Sequence, residues 1–339
     1  MLRYFNQFGI SPTFSLKYVL TFAAGTIFGF TYFHIWIDVS RWKSGNAFPT
    51  TDSRADYLYT RDVKKFQNNF KIYRGYLPIV YEVDRSVADV LAQRVRILCW
   101  VVTDPSGFDQ AKAIKATWGQ RCNALLFTST KASKKLPTVM FNMTTDWGKT
   151  KQGLKYIYEN YMDSADWILK VDVHHYVIVE NLRHMLEPHS PDSPVYFGRQ
   201  FHRHTTQGYM SGGAGYVLSR AALRRFVERG LNKPTLCRSD DGGLEDVELG
   251  ICLKHSGVAA GDSRDRYGLG RFFPFDPATH IVKDLRDEEI RWYWEFSNIS
   301  YPERIDCCSE TTIAFHYVFR PFMYNYDYFL YNLHTRLIN

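Results

Sequence analysis

The apolar run Trp167–Leu169 gives way to Asp172, His174 and His175, and a second apolar segment follows at once. Polar, metal-type side chains at the carboxyl end of a buried strand sit where open α/β sheets place ligand chemistry. A carboxylate at i and a second ligand at i+2 can hold a divalent cation together with a substrate diphosphate. Here the i+2 ligand is an imidazole, which suits zinc, cobalt or manganese better than magnesium. Three further motifs could join this chemistry. Gly208–Ser219 packs Gly212, Gly213 and Gly215 into a short stretch, which permits unusual φ and close backbone approach. Glu245 and Asp246 fall in the first turn of a helix whose apolar face carries Leu244, Val247 and Ile251. A carboxylate there is a helix cap or, facing a pocket, a general base. His316 lies in an aromatic and β-branched strand, where a histidine is either core or a ligand.

The elements that must position these residues alternate. Val95–Thr103 is β-branched and reads as a buried strand, followed by a helix over 109–118. Strand 123–128, helix 149–161, strand 167–171 and helix 179–186 come next. That alternation predicts a mainly parallel sheet covered on both faces. Residues 38–90 are polar and mixed. They read as a stem with a short helix near 63–72, so the globular body starts at about residue 91.

Composition sets the class. The chain has 339 residues, 45% hydrophobic and 16% aromatic, which supports a sizeable core. Its net charge of +7 is scattered, with no basic stripe, so nucleic acid is excluded as a partner. Residues 18–37 carry no formal charge and have the length to span a bilayer, with Tyr18, Tyr32 and Trp36 near the ends. A signal anchor is the expectation and a cleaved signal peptide the rival. With a short tail, residues 1–17, before it, a type II arrangement leaves the body lumenal. Six cysteines, Cys99, Cys122, Cys237, Cys252, Cys307 and Cys308, suit disulfides in such a chain. Free thiols and zinc binding are the alternatives. Asn142-Met-Thr and Asn298-Ile-Ser are glycosylation triplets.

Taken in order, the motifs resemble the inverting β1,3-glycosyltransferases, and most closely the core 1 β1,3-galactosyltransferase (T-synthase) family. Cys99-Trp-Val-Val-Thr103, Lys115-Ala-Thr-Trp-Gly-Gln-Arg-Cys122, Asp166-Trp-Ile-Leu-Lys170, Tyr196-Phe-Gly-Arg199, Gly208–Ser219, Ala260-Gly-Asp-Ser-Arg-Asp265, Trp292-Tyr-Trp294, Cys307-Cys-Ser and Phe315-His-Tyr-Val318 carry the likeness. It spans roughly residues 90–320. The resemblance implies a GT-A fold, a Rossmann-like, mainly parallel mixed sheet, over residues 91–320, with 321–339 as a C-terminal extension. It implies a single-pass Golgi or ER membrane protein that moves galactose from UDP-galactose, with Mn2+, to the 3-hydroxyl of GalNAc on Ser or Thr of a glycoprotein. The family pattern Asp-Asp-Asp-Thr-Tyr falls on Asp172-Val173-His174-His175-Tyr176, so His174 replaces the family's principal metal carboxylate. By the same carry-over, Asp172, His174 and His316 are the metal ligands and Asp246 the catalytic base. Thr103, Lys149, Asp172 and Tyr317 are donor contacts. Trp292, Tyr209 and Glu245 are acceptor-side. Family disulfides imply Cys99–Cys122, Cys237–Cys252 and Cys307–Cys308, and family members often form homodimers. The His174 substitution adds an alternative: a catalytically inactive paralogue acting as lumenal chaperone or binding protein for the active transferase.

Overall fold

β-branched and aromatic runs build the sheet, and helices of matching amphipathic pattern cover it. A computed structural model describes residues 86–282, 291–297, 302 and 304–333. In chain order the elements are α1 (Ser86–Arg94), β1 (Ile97–Val102), α2 (Phe108–Ala116), β2 (Ala124–Ser129), β3 (Thr138–Met140), α3 (Asp146–Tyr161), β4 (Trp167–Asp172), β5 (Tyr176–Val177), α4 (Val179–Leu186) and β6 (Val195–Gly198). There follow β7 (Gln200–Phe201), β8 (Tyr209–Met210), β9 (Tyr216–Ser219), α5 (Arg220–Arg225), α6 (Glu245–His255), β10 (Ala259–Ala260), β11 (Phe272–Phe273), α7 (Pro277–Ile281), α8 (Arg291–Phe296), β12 (Ala314–Phe315) and α9 (Arg320–Tyr331). The expected segment 18–37, the tail before it, the helix near 63–72 and the Asn298 triplet lie outside the described residues. Among the described residues no helix is long and apolar enough to cross a membrane.

The main sheet runs β10-β6-β9-β4-β1-β2-β3. Its pairs are parallel except those of β9 with β4 and β6. This is the mostly parallel mixed sheet expected from the alternating pattern. Because side chains alternate across a strand, β1 feeds two cores. Ile97, Cys99 and Val101 join Leu169, Val171 and Leu182 on one face. Leu98 and Trp100 join Ile168, Tyr216, Leu154 and Leu253 on the other. Gly153 lets α3 lie close to the sheet, since a Cβ there would sit 2.1 Å from Trp100 Cζ2. Trp100 in turn donates Nε1–H to Thr128 Oγ1 at 2.9 Å, so its buried polar edge is satisfied.

All six cysteines are paired as the resemblance implied: Cys99–Cys122, Cys237–Cys252 and Cys307–Cys308. A smaller sheet, β11-β12-β5, flanks the main one. Two elements extend the packed body beyond the sequence boundaries. α1 starts inside the segment read as stem. α9 buries Met323 and is tied down by Arg121–Asp327 at 2.7 Å and by Tyr331 donating to Glu180 at 2.7 Å.

Candidate active site

β4 delivers Asp172 to the carboxyl edge of the sheet, paired in register with Val102 of β1. The chain then turns tightly. His174 N–H donates to Asp172 Oδ1 at 2.8 Å, which fixes the carboxylate over the turn. β5 follows and pairs antiparallel with β12, Phe315 opposite Tyr176. That pairing brings His316 beside the turn. Its Nε2 lies 3.1 Å from Asp172 Oδ2, and His174 Nδ1 lies 3.8 Å from Asp172 Oδ1. Val318 N–H donates to the His174 carbonyl at 2.9 Å and holds the two segments together.

Asp172, His174 and His316 each offer one ligand atom, and these atoms all lie within 4.8 Å of one another. One carboxylate oxygen and two imidazole nitrogens fit a transition-type divalent ion such as manganese, cobalt or zinc. Burial alone would raise the Asp172 carboxyl, but the His175 and His316 imidazoles hold it well below the usual carboxylate range. It is therefore ionised and suited to a cation. Tyr317, the next residue, is half-exposed and takes a left-handed backbone, φ 55°. Its ring packs on His316 at 4.2 Å between centroids. A tyrosine held in that conformation stores strain of the kind found at functional sites.

Asp246 stands in the first turn of α6, across the glycine motif from the histidines. Its Oδ2 accepts the Gly212 N–H at 2.9 Å, and its Oδ1 accepts the Val247 N–H at 2.9 Å. The next carbonyl along, Gly213 O, lies 3.1 Å from His175 Nε2. The turn thus touches Asp246 on one side and the His175 imidazole on the other. Side chains would not fit: a Cβ on Gly212 would sit 2.9 Å from Glu245 Oε2, and Gly215, at φ 75°, would press Val171 Cγ1 at 2.9 Å. Burial first, then the neighbouring Glu245 charge, raise the Asp246 carboxyl above its ordinary range. A carboxylate so shifted is a better proton acceptor.

Glu245 is turned inward. Its carboxylate accepts from Tyr216 OH at 2.6 Å, Thr150 Oγ1 at 2.9 Å and Lys170 Nζ at 3.1 Å. Burial disfavours the Lys170 charge, but Glu245 outweighs it and raises that ammonium. Tyr216 stays protonated, its phenol held well above its ordinary value by burial and Glu245. This buried group joins β4, two residues before Asp172, to α6, one residue before Asp246.

Of the other expected contacts, Thr103 caps the end of β1. It is buried, its Oγ1 donates to the Asp104 carbonyl at 3.1 Å, and a Cβ on neighbouring Gly107 would meet both it and Val173. Lys149, in the first turn of α3, is ion-paired with Asp146 at 3.0 Å and acts electrostatically on Asp104 in the loop after β1. Trp292 and Tyr209 both pack against Phe201, with centroids 6.0 and 6.1 Å away. Trp292 is partly open at 37% exposure, whereas Tyr209 is buried at 3%, so Tyr209 backs the aromatic cluster and Trp292 forms its accessible lip. Lys170 and His175 also belong to the site, although the sequence assigns neither a role. Both carried a signal, a charge or imidazole inside an apolar strand context.

With this geometry in view, likeness to known proteins becomes informative. The Fringe-like family model matches residues 108–263. A Xenopus laevis glycoprotein-N-acetylgalactosamine 3-beta-galactosyltransferase 1 is 39% identical over 257 residues, covering 74% of this chain and 70% of the relative. The chain belongs to this T-synthase-like galactosyltransferase family. A mouse beta-1,3-glucosyltransferase is 29% identical over 157 residues, 44% of this chain and 31% of its own length. Among solved structures, the galactosyltransferase LgtC in complex with donor and acceptor sugar analogs is loosely similar, with TM-score 0.37, 14% identity, 65% of this chain and 86% of that one.

Proposed function

We propose that this chain is an inverting β1,3-galactosyltransferase with a GT-A fold, moving galactose from UDP-galactose to the 3-hydroxyl of GalNAc on Ser or Thr of glycoproteins. The observation that carries the reading is the convergence of Asp172, His174 and His316 on one side of the Gly212–Gly213 turn with Asp246 on the other. Asp172, His174 and His316 would hold a divalent ion, Mn2+ in this reading. That ion would neutralise charge building on the departing diphosphate. Asp246 removes the proton from the attacking acceptor hydroxyl, with its carboxylate aimed by two backbone N–H groups. A single displacement opposite the leaving group inverts the anomeric centre, which passes through an oxocarbenium-like state. Thr103, Lys149 and Tyr317 are assigned to the donor side and Trp292 to the acceptor. The anchor reading of residues 18–37, together with the paired cysteines, supports a type II Golgi or ER protein with a lumenal body.

One observation favours a second reading, a non-catalytic chaperone or binding protein for the active transferase. His174 supplies one negative charge fewer than the aspartate of the family pattern. UDP release from UDP-galactose with a GalNAc-bearing peptide, with Mn2+ and after chelation, decides between the two. The transferase reading expects chelation-sensitive turnover. A folded chain that turns over with no divalent metal in a panel of Mn2+, Co2+, Zn2+ and Mg2+ contradicts it.

A further inference from the structure

His175 occupies the threonine place of the family pattern, and the mechanism above does not use it. It is fully buried. Its Nδ1 lies 2.9 Å from Asp172 Oδ1 and 3.2 Å from the Asp172 backbone N–H. Its Nε2 lies 3.1 Å from Gly213 O. A carbonyl only accepts, so Nε2 carries the hydrogen, and Nδ1 of the neutral ring accepts the Asp172 backbone N–H. The ring face stacks on His316, with centroids 4.4 Å apart and planes 29° apart. One side chain therefore touches a metal-side carboxylate, a metal-side imidazole and the turn whose preceding N–H holds Asp246.

We propose that His175 is a positioning residue that locks Asp172 and His316 to the glycine turn, joining the metal half of the site to the base half. The role rests on the metal reading given above. Threonine could not fill it: its hydroxyl stands one bond from Cβ and cannot reach the Asp172 backbone N–H and the Gly213 carbonyl on opposite sides at once. Outer partners of this kind fix the orientation of the groups that hold a metal. With His174 in place of a carboxylate, fixed geometry compensates for lost charge.

The test is Mn2+ affinity of the full chain, read by the electron paramagnetic resonance signal of free Mn2+, which needs no turnover. The wild type binds, and His175→Ala and His175→Thr bind roughly 10–100-fold more weakly. His175→Asn restores a polar atom at the Nδ1 position and recovers most of the affinity. His175→Gln reaches only toward Gly213 and does not. If the Ala and Thr variants fail to fold, the Asn and Gln pair carries the test: equal affinities in those two would reduce the ring to packing and overturn the proposal. So would unchanged affinity in folded Ala or Thr variants. A wild type that binds no Mn2+ removes the metal reading itself, and this role with it.

A second inference stands on a separate observation. Asn142 and Thr144 of the Asn142-Met143-Thr144 triplet are both exposed, on the loop between edge strand β3 and α3. Three disulfides point to the oxidising compartment where such triplets are modified. We infer that Asn142 carries an N-linked glycan. The Asn142 amide nitrogen bonds to the anomeric carbon of a lipid-linked oligosaccharide, the bond to the lipid pyrophosphate breaks, and the amide loses one proton. In secretory cells, the full chain should shift on peptide-N-glycosidase treatment, and Asn142→Gln should remove one step of that shift. An Asn142→Gln chain that migrates and shifts like the wild type, or a wild type with no shift, overturns it.

Discussion

Asp172 and His316 are separated by 144 residues of sequence, yet Oδ2 of one lies 3.1 Å from Nε2 of the other. The two meet because Tyr176-Val177 and Ala314-Phe315 pair antiparallel in the smaller sheet. Backbone pairing of the two short strands thus sets the distance between the two side chains.

Removing a ligand should therefore weaken the ion more than removing a supporting contact. His316→Ala and His174→Ala are expected to lose Mn2+ affinity by more than the roughly 10–100-fold typical of outer partners. Calorimetric titration checks this. His174→Asp, which restores the family carboxylate, should bind Mn2+ at least as tightly as the wild type.

Asp246→Asn should leave the fold and Mn2+ binding intact and lower kcat on the order of 10²–10⁴-fold, the usual contribution of a positioned base. The pH dependence has a defined sign. Asp246 works deprotonated, and burial with the Glu245 charge raises its carboxyl. Activity should then fall as pH drops, with the acid limb of kcat/KM above the ordinary carboxylate range. Neutralising Glu245 removes one raising influence, so Glu245→Gln should move that limb to lower pH in whatever activity remains.

The Lys170–Glu245 pair is buried, at 11% and 9% side-chain exposure. Breaking it from one side leaves an uncompensated buried charge. Glu245→Leu and Lys170→Met should each cost about 3–5 kcal/mol in chemical denaturation. The double variant should cost clearly less than the sum, because no lone charge is left behind.

Gly153→Ala tests the packing beneath the site. The new methyl would lie 2.1 Å from Trp100 Cζ2, so helix or indole must move. Overpacking of this kind costs typically about 1–3 kcal/mol. Unfolding curves should show the loss, and near-ultraviolet circular dichroism should show the displaced indole.

Much of this was legible in the sequence where the signal is local. The helix expected over 109–118 is Phe108–Ala116, that over 179–186 is Val179–Leu186, and the strand at 167–171 runs one residue further, to Asp172. Each has enough residues to show its period. The strands that place His316 have two residues apiece and show none. Glu245 reads as a helix cap from its neighbours, but its partners Lys170 and Thr150 lie 75 and 95 residues away. The packing of α9 was not legible for a similar reason: Arg121, which anchors its Asp327, sits 206 residues earlier. The family was legible in the order of motifs, whereas the inward turn of Glu245 and the reach of His175 needed coordinates.

The central claim is that Asp172, His174 and His316 together hold one divalent ion. A crystal grown with Mn2+ and UDP, measured at a wavelength where manganese scatters anomalously, tests it most directly. The account predicts one anomalous peak bonded to Asp172, His174 and His316 and to the diphosphate oxygens. A diphosphate bound with no peak there, or a peak that leaves His174 or His316 unbonded, contradicts it.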